Sequence, residues 1–145
     1  MSAKVRSINS RAKGAGAERE FCRLIHSHLG VVLVRNLEQS RNGGHDLIAP
    51  GEDPISAALN GFAIECKRYR TITPGLLAQF WKQAEERAGK VGKIPVLAYR
   101  ADRQDWNVVI PLHAVNGGVF ERWSGLQWTA TITAEAFCAL VRETA

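Results

Sequence analysis

The chain has 145 residues, 46% of them apolar, enough to bury the core of one domain and too few for two of ordinary size. Nineteen Lys and Arg against fourteen Asp and Glu leave a net charge of +5. Seventeen of those bases and ten of the acids fall in residues 1–103, so an anionic partner is expected there, nucleic acid first and a membrane surface second.

Residues 1–13 are polar and basic, with Lys4, Arg6, Arg11 and Lys13, and are expected as a flexible arm. From Ala15 to Leu29 the apolar positions Ala17, Phe21, Leu24, Ile25 and Leu29 recur at helical spacing, and Gly30 supplies a stop. Glu18 lies on the flank of that stripe. Val31 to Val34 and His45 to Ala49 read as two strands separated by a polar stretch ending in Gly43-Gly44. Pro50 to Pro54 breaks the chain, and Asn60-Gly61 turns it into a strand over Phe62 to Lys67, giving a hairpin with a long loop. Alternation puts Phe62, Ile64 and Cys66 on one side of this strand and Ala63, Glu65 and Lys67 on the other.

Thr73 before Pro74 predicts a capped helix start, running to about Gly89 with Leu77, Phe80, Trp81, Ala84 and Ala88 inward. Ile94 to Tyr99 and Trp106 to Ile110 read as two further strands. In the tail, a strand over Gln127 to Ile132 and a helix capped by Thr133 are possible continuations. The order of helix, three strands, helix and two strands makes this an α/β protein. The run from Leu29 to Val34 falls far short of the ~20 apolar residues of a spanning helix. No signal-peptide stretch follows the charged start, so no membrane association and a cytoplasmic location are expected. Cys22, Cys66 and Cys138 are widely separated and read as reduced thiols.

The chemistry concentrates in Asp46 on one strand, Glu65 on the next, and Lys67 two residues further on. If the two carboxylates face the same side, their repulsion is relieved by a hard cation such as Mg²⁺ (Mn²⁺ is an alternative) through oxygen ligands. Such an ion activates water and neutralises a phosphodiester, and the lysine stabilises the transition state. Glu18 adds a third carboxylate to the metal or its water shell. Arg41-Asn42-Gly43-Gly44 precedes the acid with a guanidinium and backbone amides suited to phosphate. The bland alternative for Glu65 and Lys67 is an ion pair on a solvated strand face.

Three segments, Lys13 to Glu20, Gly44-His45-Asp46 and Ile64-Glu65-Cys66-Lys67, resemble the PD-(D/E)XK nuclease superfamily. Within it, they are most similar to the archaeal-type Holliday junction resolvases and their phage relatives. The resemblance spans about residues 10–110. It implies a restriction-endonuclease-like fold, a mixed central β-sheet flanked by helices in a single domain, commonly a homodimer. By the same resemblance Glu18 assists the metal site, Asp46 and Glu65 bind magnesium, Lys67 is catalytic, and Arg19 and Arg35 contact phosphate. His45 stands where the motif has proline. Nineteen positions separate Asp46 from Glu65, so Pro50 to Asn60 is expected to be an inserted loop.

The expected organisation is a basic arm over 1–13, a nuclease core over 14–111 and an extension of the same domain over 112–145 with no assigned role. The expected DNA contacts are Lys13, Arg19, Arg35, Arg41, Arg68, Arg70 and Gln83. His45 is open between a phosphate contact and a hydrogen bond to a backbone carbonyl. Gln79 and Gln83, one turn apart, are open between a role near the scissile phosphate and a solvated face. Cys22 and His26 begin a zinc-like spacing, but no second pair follows. Trp106, Trp123 and Trp128 read as core or dimer contacts. The expected function is a magnesium-dependent endonuclease resolving four-way DNA junctions as a homodimer, phage-encoded and acting in a host cytoplasm. The alternatives are a related nuclease of duplex or other branched DNA, or a nuclease-like fold that only binds DNA.

Overall fold

A computed structural model describes residues 2–36 and 47–145, and of residues 2–13 and 15 it describes the backbone alone. Asp46, Arg41 and His45, with the Gly43-Gly44 turn, lie outside the described residues. Helix α1 spans Ser2–Leu29 and takes in the segment expected as a basic arm. Its stripe is the expected one: Ala17, Phe21 and Ile25 are fully buried. Gly30, at φ 70°, ends it, donating its N–H to the His26 carbonyl. Glycine takes this left-handed conformation without the Cβ clash that other residues meet.

The chain then forms a short antiparallel ribbon, β1 (Val34–Arg35) with β2 (Leu47–Ile48), in which Arg35 lies opposite Leu47. The inserted loop is in part a helix, which corrects the reading from composition. Helix α2 spans Pro54–Leu59, with Asp53 as N-cap accepting from the Ser56 N–H at 2.8 Å and the Ser56 hydroxyl at 2.7 Å. Proline at the first helical position and an aspartate cap are start signals that the two prolines obscured, because proline also breaks structure.

The main sheet has four strands in the order β3-β4-β5-β6: β3 (Phe62–Tyr69), β4 (Ile94–Ala101), β5 (Asn107–Pro111) and β6 (Thr129–Thr133). Strands β3 and β4 are parallel, with Glu65 opposite Leu97 and Lys67 opposite Tyr99, and the other pairings are antiparallel. A parallel pair needs a crossover, and α3 (Pro74–Val91) supplies it. Thr73 caps α3 as expected, and Gly92 at φ 66° ends it. The expected hairpin between the Asp46 strand and the Glu65 strand is corrected. Strand β2 pairs with β1, and β3 pairs with β4.

Helices cover both faces. Phe62, Ile64, Val96, Ala98, Val108 and Ile110 pack against α1 and against α5 (Ala134–Thr144). The alternate residues Leu97 and Val109 pack against Phe80, Trp81 and Ala84 of α3. This is the mixed sheet between helices of a single α/β domain. The C-terminal residues are integral to it: β6 is its fourth strand, and Phe137, Cys138 and Val141 of α5 are fully buried. Between β5 and β6 lie the one-turn helix α4 (Leu112–Val115) and a 3₁₀ turn at Leu126–Trp128. No described helix is long and apolar enough to cross a membrane.

Candidate active site

Glu65 and Lys67 project from the face of β3 that α3 covers, as alternation requires. Glu65 is only 3% exposed, in the middle of a strand whose neighbours are apolar. Burying a carboxylate there is costly unless a cation answers it. Among the described residues such a cation is Arg87 on α3, whose Nη1 donates to Glu65 Oε2 at 2.7 Å. Lys67 Nζ lies 5.3 Å from the centroid of the Phe80 ring, also on α3, within cation–π range. Phe80 in turn meets Tyr69 in a tilted ring contact, 5.0 Å between centroids. The E-x-K pair therefore faces a helix that holds each charged group by a different device.

Arg87 was not among the residues singled out from sequence. The signal was present: Gln79, Gln83 and Arg87 repeat every fourth residue along α3. Gln79 and Gln83 are exposed, while Arg87, nearer the helix C-terminus, reaches the sheet.

Glu18 lies on α1, the helix packed against the face of β3 opposite α3, with its side chain 15% exposed and its Oε2 3.3 Å from Arg35 Nε. The two line a cavity of about 420 Å³ with Arg19, Arg23, Cys22 and Leu47. Leu47 is the residue after Asp46, and its strand packs on β3. Asn60 fastens that strand's exit: its side-chain amide donates to the Ala49 carbonyl at 2.7 Å and accepts from the Ala49 N–H at 2.9 Å. The turn entering β3 and the strand following Asp46 are thus tied by a two-point bond.

Of the remaining expected DNA contacts, Arg19 and Arg70 are exposed, and so is Gln83. Lys13 lies on α1, with only its backbone described. Arg68 is already engaged, with Nη1 3.3 Å from Glu20 Oε2 and Nε 3.3 Å from Asp102 Oδ1. Glu20 also pairs with Arg100, Nε to Oε1 at 2.6 Å, and accepts from Trp106 Nε1 at 3.0 Å. Burial alone would raise the Glu20 carboxyl, but the hydrogen bonds from Arg100 and Trp106 and the charges of Arg100 and Arg68 outweigh it and hold it below the ordinary glutamate range. Trp106 is a core residue, as expected, whereas Trp123 and Trp128 are exposed and meet in a tilted ring contact, 4.4 Å between centroids.

Burial, and then the nearby Glu18 charge, push the Cys22 thiol up to about 11, and burial pushes Cys138 to about 11. Protonated thiols are poor zinc ligands and poor nucleophiles at neutral pH. Among the described residues, no group of three His, Cys, Asp or Glu side chains is placed to hold a metal. The acids singled out are all hard oxygen donors, and Glu65 sits in a pocket that demands a positive partner. That donor chemistry fits a hard divalent cation and does not fit a soft one.

The chain matches, over residues 9–138, the family model described as "Phage putative PDDEXK endonuclease". The match reaches well into the C-terminal residues that β6 and α5 place in the core. A mixed sheet clasped by helices is consistent with the fold of a PD-(D/E)XK nuclease. This chain belongs to the phage PDDEXK endonuclease family. Its chemistry is accordingly nuclease hydrolysis, with DNA as the substrate class. No curated protein matches the chain.

Proposed function

We propose that the chain is a magnesium- or manganese-dependent endodeoxyribonuclease that cuts four-way DNA junctions as a homodimer. The observation that carries the catalytic reading is the buried Glu65 carboxylate sharing one face of β3 with Lys67, in a chain of an endonuclease family. Glu65 and Asp46, with Glu18 in support, are the oxygen donors for the ion. When bound, the ion supplies charge neutralisation at the phosphate and a more acidic water. Lys67 places an ammonium beside the scissile phosphate, where it stabilises the negative charge that grows as water adds and the P–O bond breaks. Phe80 limits the lysine's rotation, so less freedom is lost when the phosphate arrives.

Arg19, Arg35, Arg41, Arg70 and Lys13 hold the DNA backbone, and such contacts set position without reading sequence. Gln83 is exposed on the helix beside Glu65 and suits a polar contact to the same strand. Arg68 is the weakest of the proposed contacts, since Glu20 and Asp102 already neutralise it. The junction reading rests on the resemblance of the Lys13 to Glu20, Gly44 to Asp46 and Ile64 to Lys67 segments to junction resolvases. The dimer follows from symmetry: resolution into two duplexes takes paired nicks, and a two-fold dimer presents two identical sites. The test is cleavage of a synthetic four-way junction beside a linear duplex, with Mg²⁺ and with EDTA, and the solution mass of the same sample. Paired nicks on the junction alone, dependent on metal, with a dimer mass, are expected. Equal cutting of linear duplex by a monomer overturns the junction reading, and binding without cleavage in any metal overturns the nuclease reading.

A further inference from the structure

We infer that Arg87 is the built-in counter-ion of Glu65, competes with the divalent cation for its carboxylate, and thereby sets the metal affinity of the site. This rests on the reading of Glu65 as a metal donor. The two partners are unequally buried. Glu65 is confined to a strand and 3% exposed, whereas the Arg87 side chain is 34% exposed and reaches inward from a helix surface. A buried carboxylate must keep a cation near it at all times, because an uncompensated charge in that position is strongly destabilising. Arg87 meets that requirement at 2.7 Å from Oε2, close to the place where a cation bound by the same oxygen would sit. A dication and a guanidinium cannot both approach one carboxylate oxygen without mutual repulsion, which at such separations costs a tenfold or larger factor in affinity even under water-like screening. Arg87 is thus a positioning residue with two effects of opposite sign: it supports the fold and it weakens metal uptake.

The opposite signs make the test discriminating. Mn²⁺ binding to the full chain is measured by calorimetry for the parent, R87Q and R87K, and thermal unfolding is followed in EDTA and in Mn²⁺. R87Q is expected to melt earlier than the parent in EDTA, to bind Mn²⁺ about tenfold more tightly, and to gain more from Mn²⁺ on melting. R87K keeps the charge and is expected to restore the parent's melting point and affinity in large part. The double variant E65Q/R87Q has no buried charge to compensate and keeps the fold testable: it is expected to melt above R87Q in EDTA and to lose the Mn²⁺ response. If R87Q binds Mn²⁺ equally or more weakly while the parent binds normally, the counter-ion inference is overturned alone. If the parent takes up no Mn²⁺, or E65Q binds as the parent does, the reading of Glu65 as a donor falls and the inference with it.

Discussion

At the level of single residues, the proposed chemistry depends on keeping charged groups ready inside an apolar sheet. Glu65 is fixed by Arg87 and Lys67 by the Phe80 ring, so the two motif residues are oriented by α3 and not by each other. Phe80→Leu keeps the volume roughly and removes the ring face. It is expected to lower the cleavage rate several-fold with DNA affinity unchanged, as single-turnover kinetics and a binding titration on the same DNA would show. A second charge cluster behaves differently. Glu20 joins α1 to β3, β4 and the residue entering β5 through Arg68, Arg100 and Trp106, and its carboxyl is held below the ordinary range. A depressed folded-state value contributes stability that is complete above the unfolded value near 4.5 and lost as pH falls through the folded value. Glu20→Gln should therefore flatten the loss of melting temperature between about pH 5 and pH 3. A variant curve parallel to the parent's across that window would mean the cluster contributes no pH-linked stability. The shared strand face of Glu65 and Lys67 was legible in sequence because their spacing is local. Arg87 was not, because the contact joins residues 22 apart across a helix crossover.

Among the elements, turn chemistry decides where the strands sit. Thr73 and Thr133 were readable as caps from an isolated threonine before a helical pattern, and both accept from the N–H three residues on. The segment from Pro50 to Asn60 was misread as loop, since helix α2 is only six residues long and shows no periodicity. Its last contact has a function the composition did not reveal: Asn60 clamps Ala49 by two hydrogen bonds. Asn60→Ala leaves both Ala49 backbone groups without that partner and should cost about 1–3 kcal/mol in urea unfolding, with a larger relative fall in cleavage than in DNA binding. A change under half that size in stability and none in rate would show that the clamp does not hold the strand after Asp46. Near the other end of the sheet, Gly125 has φ 114°, and its N–H donates to Glu85 of α3 at 3.1 Å. An added Cβ would lie 2.4 Å from the Gln127 side chain. Gly125→Ala is expected to lower stability by about 1–3 kcal/mol, read from the same urea titration.

For the molecule as a whole, the α/β class and the order of its main elements followed from hydrophobic period and caps, whereas strand pairing did not. Sequence adjacency suggested that the Asp46 strand pairs with β3, but β3 pairs in parallel with β4 across α3, a long-range choice that local pattern does not encode. The C-terminal residues resisted assignment for a related reason: β6 reaches the sheet only by pairing with β5. The charge distribution carries over directly to binding. The bases concentrate in residues 1–103, so affinity for duplex DNA should fall with salt, the log–log slope steepening by about 0.9 for each phosphate neutralised. Replacing exposed Arg19 or Arg70 by alanine should lower that slope by about 1 while affecting all sequences alike. The central claim is that Glu65, with Asp46, and Lys67 perform metal-dependent DNA hydrolysis. The most direct measurement compares DNA binding and Mg²⁺-dependent cleavage for the parent, Asp46→Asn, Glu65→Gln and Lys67→Ala on one junction substrate. The expected result is binding within a few-fold of the parent in all three variants and cleavage lowered by about 10²-fold or more in each. Carboxylate variants that cut at the parental rate, with Mg²⁺ making no difference to the parent, would contradict the account.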